Sequence, residues 1–180
     1  MDYPKKIKAV LQTGCIVAIL FNGSAYMNPK PSQIEVLNQL IQVNIDRTAG
    51  YETASKEVKE EYLKKLFEQF ANTSRICNSE LELEVINLQG KPVEGTKTTL
   101  KIYQIWMNTK SMFTNHDIEI ILKSCHHGET ITKNVYDKVI SQHKDRLNQQ
   151  QIDKINNQMK LLKIDHDRVA SLQNLMCVNH

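Results

Sequence analysis

The chain has 180 residues, a formal net charge of +3, 41% hydrophobic residues, and only 6 glycines and 4 prolines. That length supports one domain with a sizeable core, and the scarcity of Gly and Pro favours helices over a turn-rich β fold. Lys and Glu alternate, as in VKEEYLKKLFEQF; this is the pattern of solvated helix faces, not the one-sided basic patch that a nucleic-acid groove needs.

The first 25 residues stand apart. Lys5, Lys6 and Lys8 precede an apolar run from Ala9 to Phe21, broken only by Gln12, Thr13 and Gly14, and Asn22-Gly23-Ser24-Ala25 then supplies small residues. This is the order of a secretory signal, so residues 1–25 are expected to be a cleaved leader and the protein periplasmic or otherwise exported. The run falls short of the roughly 20 apolar residues of a transmembrane helix. The alternatives are an uncleaved anchor, which would be the chain's membrane contact, and a buried N-terminal helix of a cytoplasmic protein. Residues 26–33, which include MNPKPS, read as a linker.

The bundle is expected over residues 34–176. Ser32 and Glu35 form a capping box before a first helix with Leu37, Leu40, Ile41, Asn44, Thr48 and Tyr51 on one stripe, ending near Ser55. A second helix runs from about Glu57 to Leu88, its stripe including Leu63, Phe67, Phe70, Ser74, Cys77, Leu81 and Val85. Gln89-Gly90-Lys91-Pro92 ends it, with a glycine C-cap expected. After a polar loop, Leu100–Phe113 reads as a short helix able to cover the bundle with Ile102, Ile105, Trp106 and Met112.

A third helix comes after Thr114-Asn115-His116-Asp117, with Ile121, Leu122, Cys125, Glu129, Thr132, Tyr136 and Val139 facing one way. A polar turn near Arg146–Gln149 leads to the fourth, with Ile152, Ile155, Met159, Leu162, His166 and Val169. The short loops make helices one and two, and three and four, antiparallel pairs. The long connection over 89–115 can bring helix three back parallel to helix two. The fold class is therefore all-α, a ferritin-like four-helix bundle with a long crossover containing a short helix between helices two and three.

The combination of LNQLIQVNIDRTAGYETAS, LFEQFANTSRICNSELELEV, Trp106-Met107, Gly128-Glu129 and HDRVASL resembles the uncharacterised ferritin-like family named domain of unknown function 2383. The resemblance spans about residues 34–176. It rests on Asn44, Asp46, Arg47, Gly50, Tyr51, Ser74, Arg75, Glu80, Gly128, Glu129, His166, Asp167 and Arg168. It implies a four-helix ferritin-like fold in a family without an established activity. The chain departs from that pattern at Cys125-His126-His127 and in its leader.

Di-iron carboxylate bundles take two Glu-x-x-His pairs, and this chain has none. A degenerate iron or zinc site is conceivable from Glu129, His166 and His126, since His126 and Glu129 form a reversed His-x-x-Glu pair and imidazole with carboxylate suits either metal. Glu80 and Glu84 on helix two lie at the far end. The bland reading has Glu129 and His166 paired with each other, or with Tyr51, as a polar layer of the core.

Asn44, Asp46, Arg47 and Tyr51 on helix one, with Asp167 and Arg168 beside His166 on helix four, are expected to form a polar core network. Cys77 and Cys125 fall on apolar stripes and read as small buried hydrophobes, not nucleophiles. The resulting expectation is a non-enzymatic bundle acting through self-association or a protein partner. The rival reading is a metal-binding bundle, and a weaker third is a stress-related protein presenting an amphipathic face.

Overall fold

The computed structural model describes residues 31–95 and 118–178. The leader expected over 1–25, most of the 26–33 linker and the short helix expected over Leu100–Phe113 lie outside the described residues. Contacts divide the chain into Met1–Lys30 and Pro31–His180, and the described helices all belong to the second unit.

These helices are α1 Gln33–Glu57, α2 Glu61–Asn87, α3 Ile118–His143, a 3-10 turn Lys144–Arg146, and α4 Gln149–Val178. The architecture is an all-α four-helix bundle. Ser32 begins α1 with the capping box: its backbone N–H donates to Glu35 Oε2 at 2.6 Å, and its hydroxyl accepts from the Glu35 N–H at 3.2 Å. Two orphan donors of the first turn are thereby satisfied. Helix α1 runs two residues beyond Ser55, and α2 begins at Glu61 and not near Glu57, because Val58–Glu60 makes the turn.

The end of α2 corrects the expected glycine cap. Gly90 N–H donates to Val85 O at 2.9 Å and Gln89 N–H to Ile86 O at 2.8 Å, the paired bonds of a Schellman motif. The residue in the left-handed conformation is Gln89, with φ of 57°. Gly90 is small for a different reason: a Cβ there would lie 2.8 Å from Ile34 Cδ1. Glycine lets the chain turn closely over the start of α1.

Pairs of contacts fix the helix directions. Asn44 meets Tyr136 while Arg47 meets Glu129, so α1 and α3 are antiparallel. Gln33 meets Gln151 and Arg47 meets Asp165, so α1 and α4 are parallel. Gln158 reaches Cys77 and Glu80 while Lys154 reaches Glu84, so α2 and α4 are antiparallel. Helices α2 and α3 consequently run in the same direction.

The core contains Leu37, Leu40, Ile41, Leu63, Phe67, Leu81, Ile121, Leu122, Val139, Ile155 and Val169, all buried. Helix α1 is buried well beyond its expected stripe, since Val36, Val43, Asp46 and Gly50 are also covered. The segment after α2 lies along its outer side. Asn38 Nδ2 donates to Lys91 O at 3.1 Å, Val93 N–H donates to Asn38 Oδ1 at 2.9 Å, and Gln42 Nε2 donates to Gly95 O at 3.1 Å.

Candidate functional site

Arg47 ties the four helices together. From α1 its Nε and Nη2 donate to Glu129 Oε1 on α3 at 3.0 and 2.6 Å. Nη2 also donates to Asp165 Oδ2 on α4 at 2.9 Å. Nη1 donates to Phe70 O and Ser74 Oγ on α2 at 2.8 and 2.7 Å. The planar, forked guanidinium suits such multiple fixed contacts better than an ammonium would. Tyr51, one turn along α1, donates its hydroxyl to the same Glu129 oxygen and presents its ring to the guanidinium 4.9 Å from the centroid. Phe67 and Phe70 pack around the Tyr51 ring at 5.7 and 5.1 Å.

This cluster is buried. Arg47 is 3% exposed and Glu129 2%. Burial opposes the Arg47 charge, but the Glu129, Tyr51 and Asp165 fields outweigh it and raise its pKa, so it stays charged. Burial, with the Glu129 charge, holds the Tyr51 hydroxyl well above its ordinary value and therefore protonated. Burial raises Asp165 despite the attraction of Arg47. Such a cluster costs desolvation and repays it only when every member is bonded; its main effect here is to set the relative heights of four helices.

A second polar layer lies further along. Asn44 Nδ2 donates to Leu40 O at 2.8 Å and to the Tyr136 hydroxyl at 2.7 Å. Tyr136 donates to Gln158 Oε1 at 3.0 Å, and Gln158 Nε2 donates to Cys77 O at 3.1 Å and Glu80 Oε2 at 2.8 Å. Asp46 belongs to neither layer. It accepts from Gln42 Nε2 at 3.2 Å, and burial pushes its pKa up to about 6.

The expected site residues thus separate. Arg47, Tyr51 and Glu129 meet in the cluster, and Asn44 lies in the second layer. Asp167 and Arg168 are exposed; Asp167 pairs with Lys163 and sits 3.3 Å from His166 Nδ1. The buried acid is instead Asp165, which helix periodicity did not single out, nor did it reveal Ser74's bond to Arg47. One cue was available: Asp165 adjoins His166 of the α4 stripe, and a buried arginine favours an acid as its partner.

Of the expected metal set, Glu129 and His166 line one cavity between α3 and α4. Glu129 Oε1 is committed to the Arg47 guanidinium and the Tyr51 phenol, and a cation there would face the Arg47 charge. His126 and His166 do come together, with ring centroids 5.4 Å apart, on the outer side of α3 and α4. Glu80 is engaged by Gln158, and Glu84 by Lys154 at 2.5 Å and Gln151 at 3.2 Å. Among the described residues, no group of three or more His, Cys, Asp or Glu is placed to hold a metal ion.

Nucleophilic chemistry has no open position in this interior. Cys77 and Cys125 are free and buried; burial pushes the Cys77 thiol up to about 12 and raises Cys125 as well, so neither supplies thiolate at neutral pH. No helix of the described residues is long and apolar enough to cross a membrane.

Fold and interior define a four-helix bundle organised around one buried arginine. The chain belongs to the family described as Domain of unknown function (DUF2383), which matches residues 32–142, more than half of its length. A search of the curated proteins finds no match to this chain.

Proposed function

We propose that this protein is a non-enzymatic bundle of ferritin-like arrangement that acts by self-association through the outer face of α2 and α4. One observation carries the reading: large apolar side chains stand exposed along both helices. Tyr62, Ile76, Leu83 and Ile86 on α2 are at least half exposed, as are Ile164 and Leu175 on α4, with Leu161 close behind. The antiparallel register sets Leu161 and Ile164 at about the height of Ile76. Scattered apolar residues need no explanation, but a continuous face of them marks an interaction surface.

Size favours a second copy. Tyr62 to Ile86 spans 86 − 62 = 24 rises along α2, so the face is about 36 Å long. Two helices are roughly 20 Å wide, giving on the order of 700 Å² per partner, near the roughly 800 Å² of a standard interface. A two-fold contact laying α2 on the partner's α4 covers both apolar stripes at once.

Light scattering on the full chain tests this. The expected mass is that of a dimer at micromolar concentration. Ile76→Glu with Ile164→Glu should give a monomer of unchanged thermal stability, because both residues are exposed. A parent that stays monomeric at high concentration would sink the reading.

The meeting of His126 and His166 supports a second reading, weak binding of zinc or iron at the outer side of α3 and α4. Two imidazoles are fewer than the three or four protein ligands of established zinc sites, so this reading is the lesser. Metal content of the purified protein beside His126→Ala separates the two.

A further inference from the structure

Helices α3 and α4 part to leave a cavity of about 260 Å³ open to the outside. Its walls are apolar: the Tyr136 ring, held in place by its bonds to Asn44 and Gln158, with Met159 and Leu162 opposite. Three lysines, Lys133, Lys160 and Lys163, stand among its lining residues, together with two acids, Glu129 and Asp167, and His166. Lys133 and Lys163 are held by Asp137 and Asp167 one turn further along their own helices. Lys160 has only the neutral Asn157 carbonyl, at 3.3 Å.

We propose that this cavity binds a small apolar anion, a free carboxylate with a tail of about seven to nine carbons. The volume is just below the roughly 300–1,000 Å³ of sites for drug-sized ligands, which sets the scale of the tail. The tail displaces water from Met159, Leu162 and the Tyr136 face, beside a Glu129 carboxylate already bonded to Arg47 and Tyr51. The head meets Lys160, which no carboxylate holds among the described residues, whereas Lys133 and Lys163 are paired with Asp137 and Asp167. An amine of the same length meets the Lys160 ammonium and a lining with three lysines against two acids, and a neutral alcohol keeps only the tail contribution. The site is separate from the α2–α4 face, so its success or failure leaves the self-association reading untouched.

The test is a calorimetric titration of the full chain with octanoate below its micellar range, beside octylammonium and octanol. One octanoate per chain is expected, with octanol weaker and octylammonium silent. Lys160→Glu, an exposed substitution that leaves the core alone, should weaken octanoate by about five- to tenfold. Met159→Trp should abolish binding by filling the space, with its melting temperature recorded to confirm a folded bundle. No saturable octanoate binding, equal binding of octylammonium, or an unchanged affinity in Lys160→Glu would each overturn the proposal.

Discussion

Arg47 and Glu129, 82 residues apart in sequence, meet as a buried ion pair in which one carboxylate oxygen accepts two guanidinium hydrogen bonds. Removing either partner leaves the other charge in a dry interior. Arg47→Ala and Glu129→Ala should each cost about 3–5 kcal/mol. The triple replacement Arg47→Met, Glu129→Leu, Asp165→Leu should cost less than either single change, because no charge is stranded. Urea unfolding of the three variants checks the order; a triple variant weaker than both singles would show that the cluster is a net source of stability.

Asp46 gives the protein a pH dependence of definite sign. Its pKa is raised from 3.8 to about 6 by burial, so between these values the native state holds more proton than the unfolded one. Stability from this group is therefore greatest below about pH 4 and falls as pH rises through about 6. Asp46→Asn, which has no charge to bury, should be more stable than the parent at pH 7 by about 1–3 kcal/mol. That advantage should vanish near pH 4. Melting temperatures of both proteins across pH 4–8 decide it.

The end of α2 offers a matched pair of substitutions. Gln89 holds a left-handed conformation that glycine adopts without strain, so Gln89→Gly should stabilise by about 0.5–1 kcal/mol. Gly90→Ala should destabilise by about 1–3 kcal/mol by driving a methyl into Ile34. Opposite signs at adjacent positions are the expected outcome of thermal unfolding, and matching signs would refute this account of the cap.

Tyr136 joins three helices through its hydroxyl. Tyr136→Phe keeps the ring but leaves Gln158 Oε1 without its donor, and should cost about 1–3 kcal/mol. Amide exchange at the α3–α4 contact provides the local readout.

Much of the bundle was legible from Ser32 onward. The capping box and the four amphipathic periods come from local spacing, because caps and 3.6-residue stripes are properties of short windows, and the direction of α3 comes from the length of the connections. The glycine cap was misplaced by one residue, since its signature is a conformation, which Gln89 adopts, while Gly90 is placed by its approach to Ile34. The buried cluster was legible in part. Arg47, Tyr51 and Glu129 stand on core stripes, but the choice of Asp165 over His166 turns on about 100° of helix rotation, which no window of α4 contains.

The sequence by itself determined the all-α class, the helix order and the family, because each rests on periodicity or on residues read in line. Tertiary structure alone decided that Arg47 answers Glu129, Asp165 and Ser74 together, that Asp167 and Arg168 face outward, and that a lysine-rimmed cavity opens between α3 and α4. Those outcomes depend on the height and rotation of helices brought together from distant parts of the chain. They are set by how the helices pack and by the need of the buried Arg47 and Glu129 charges for partners.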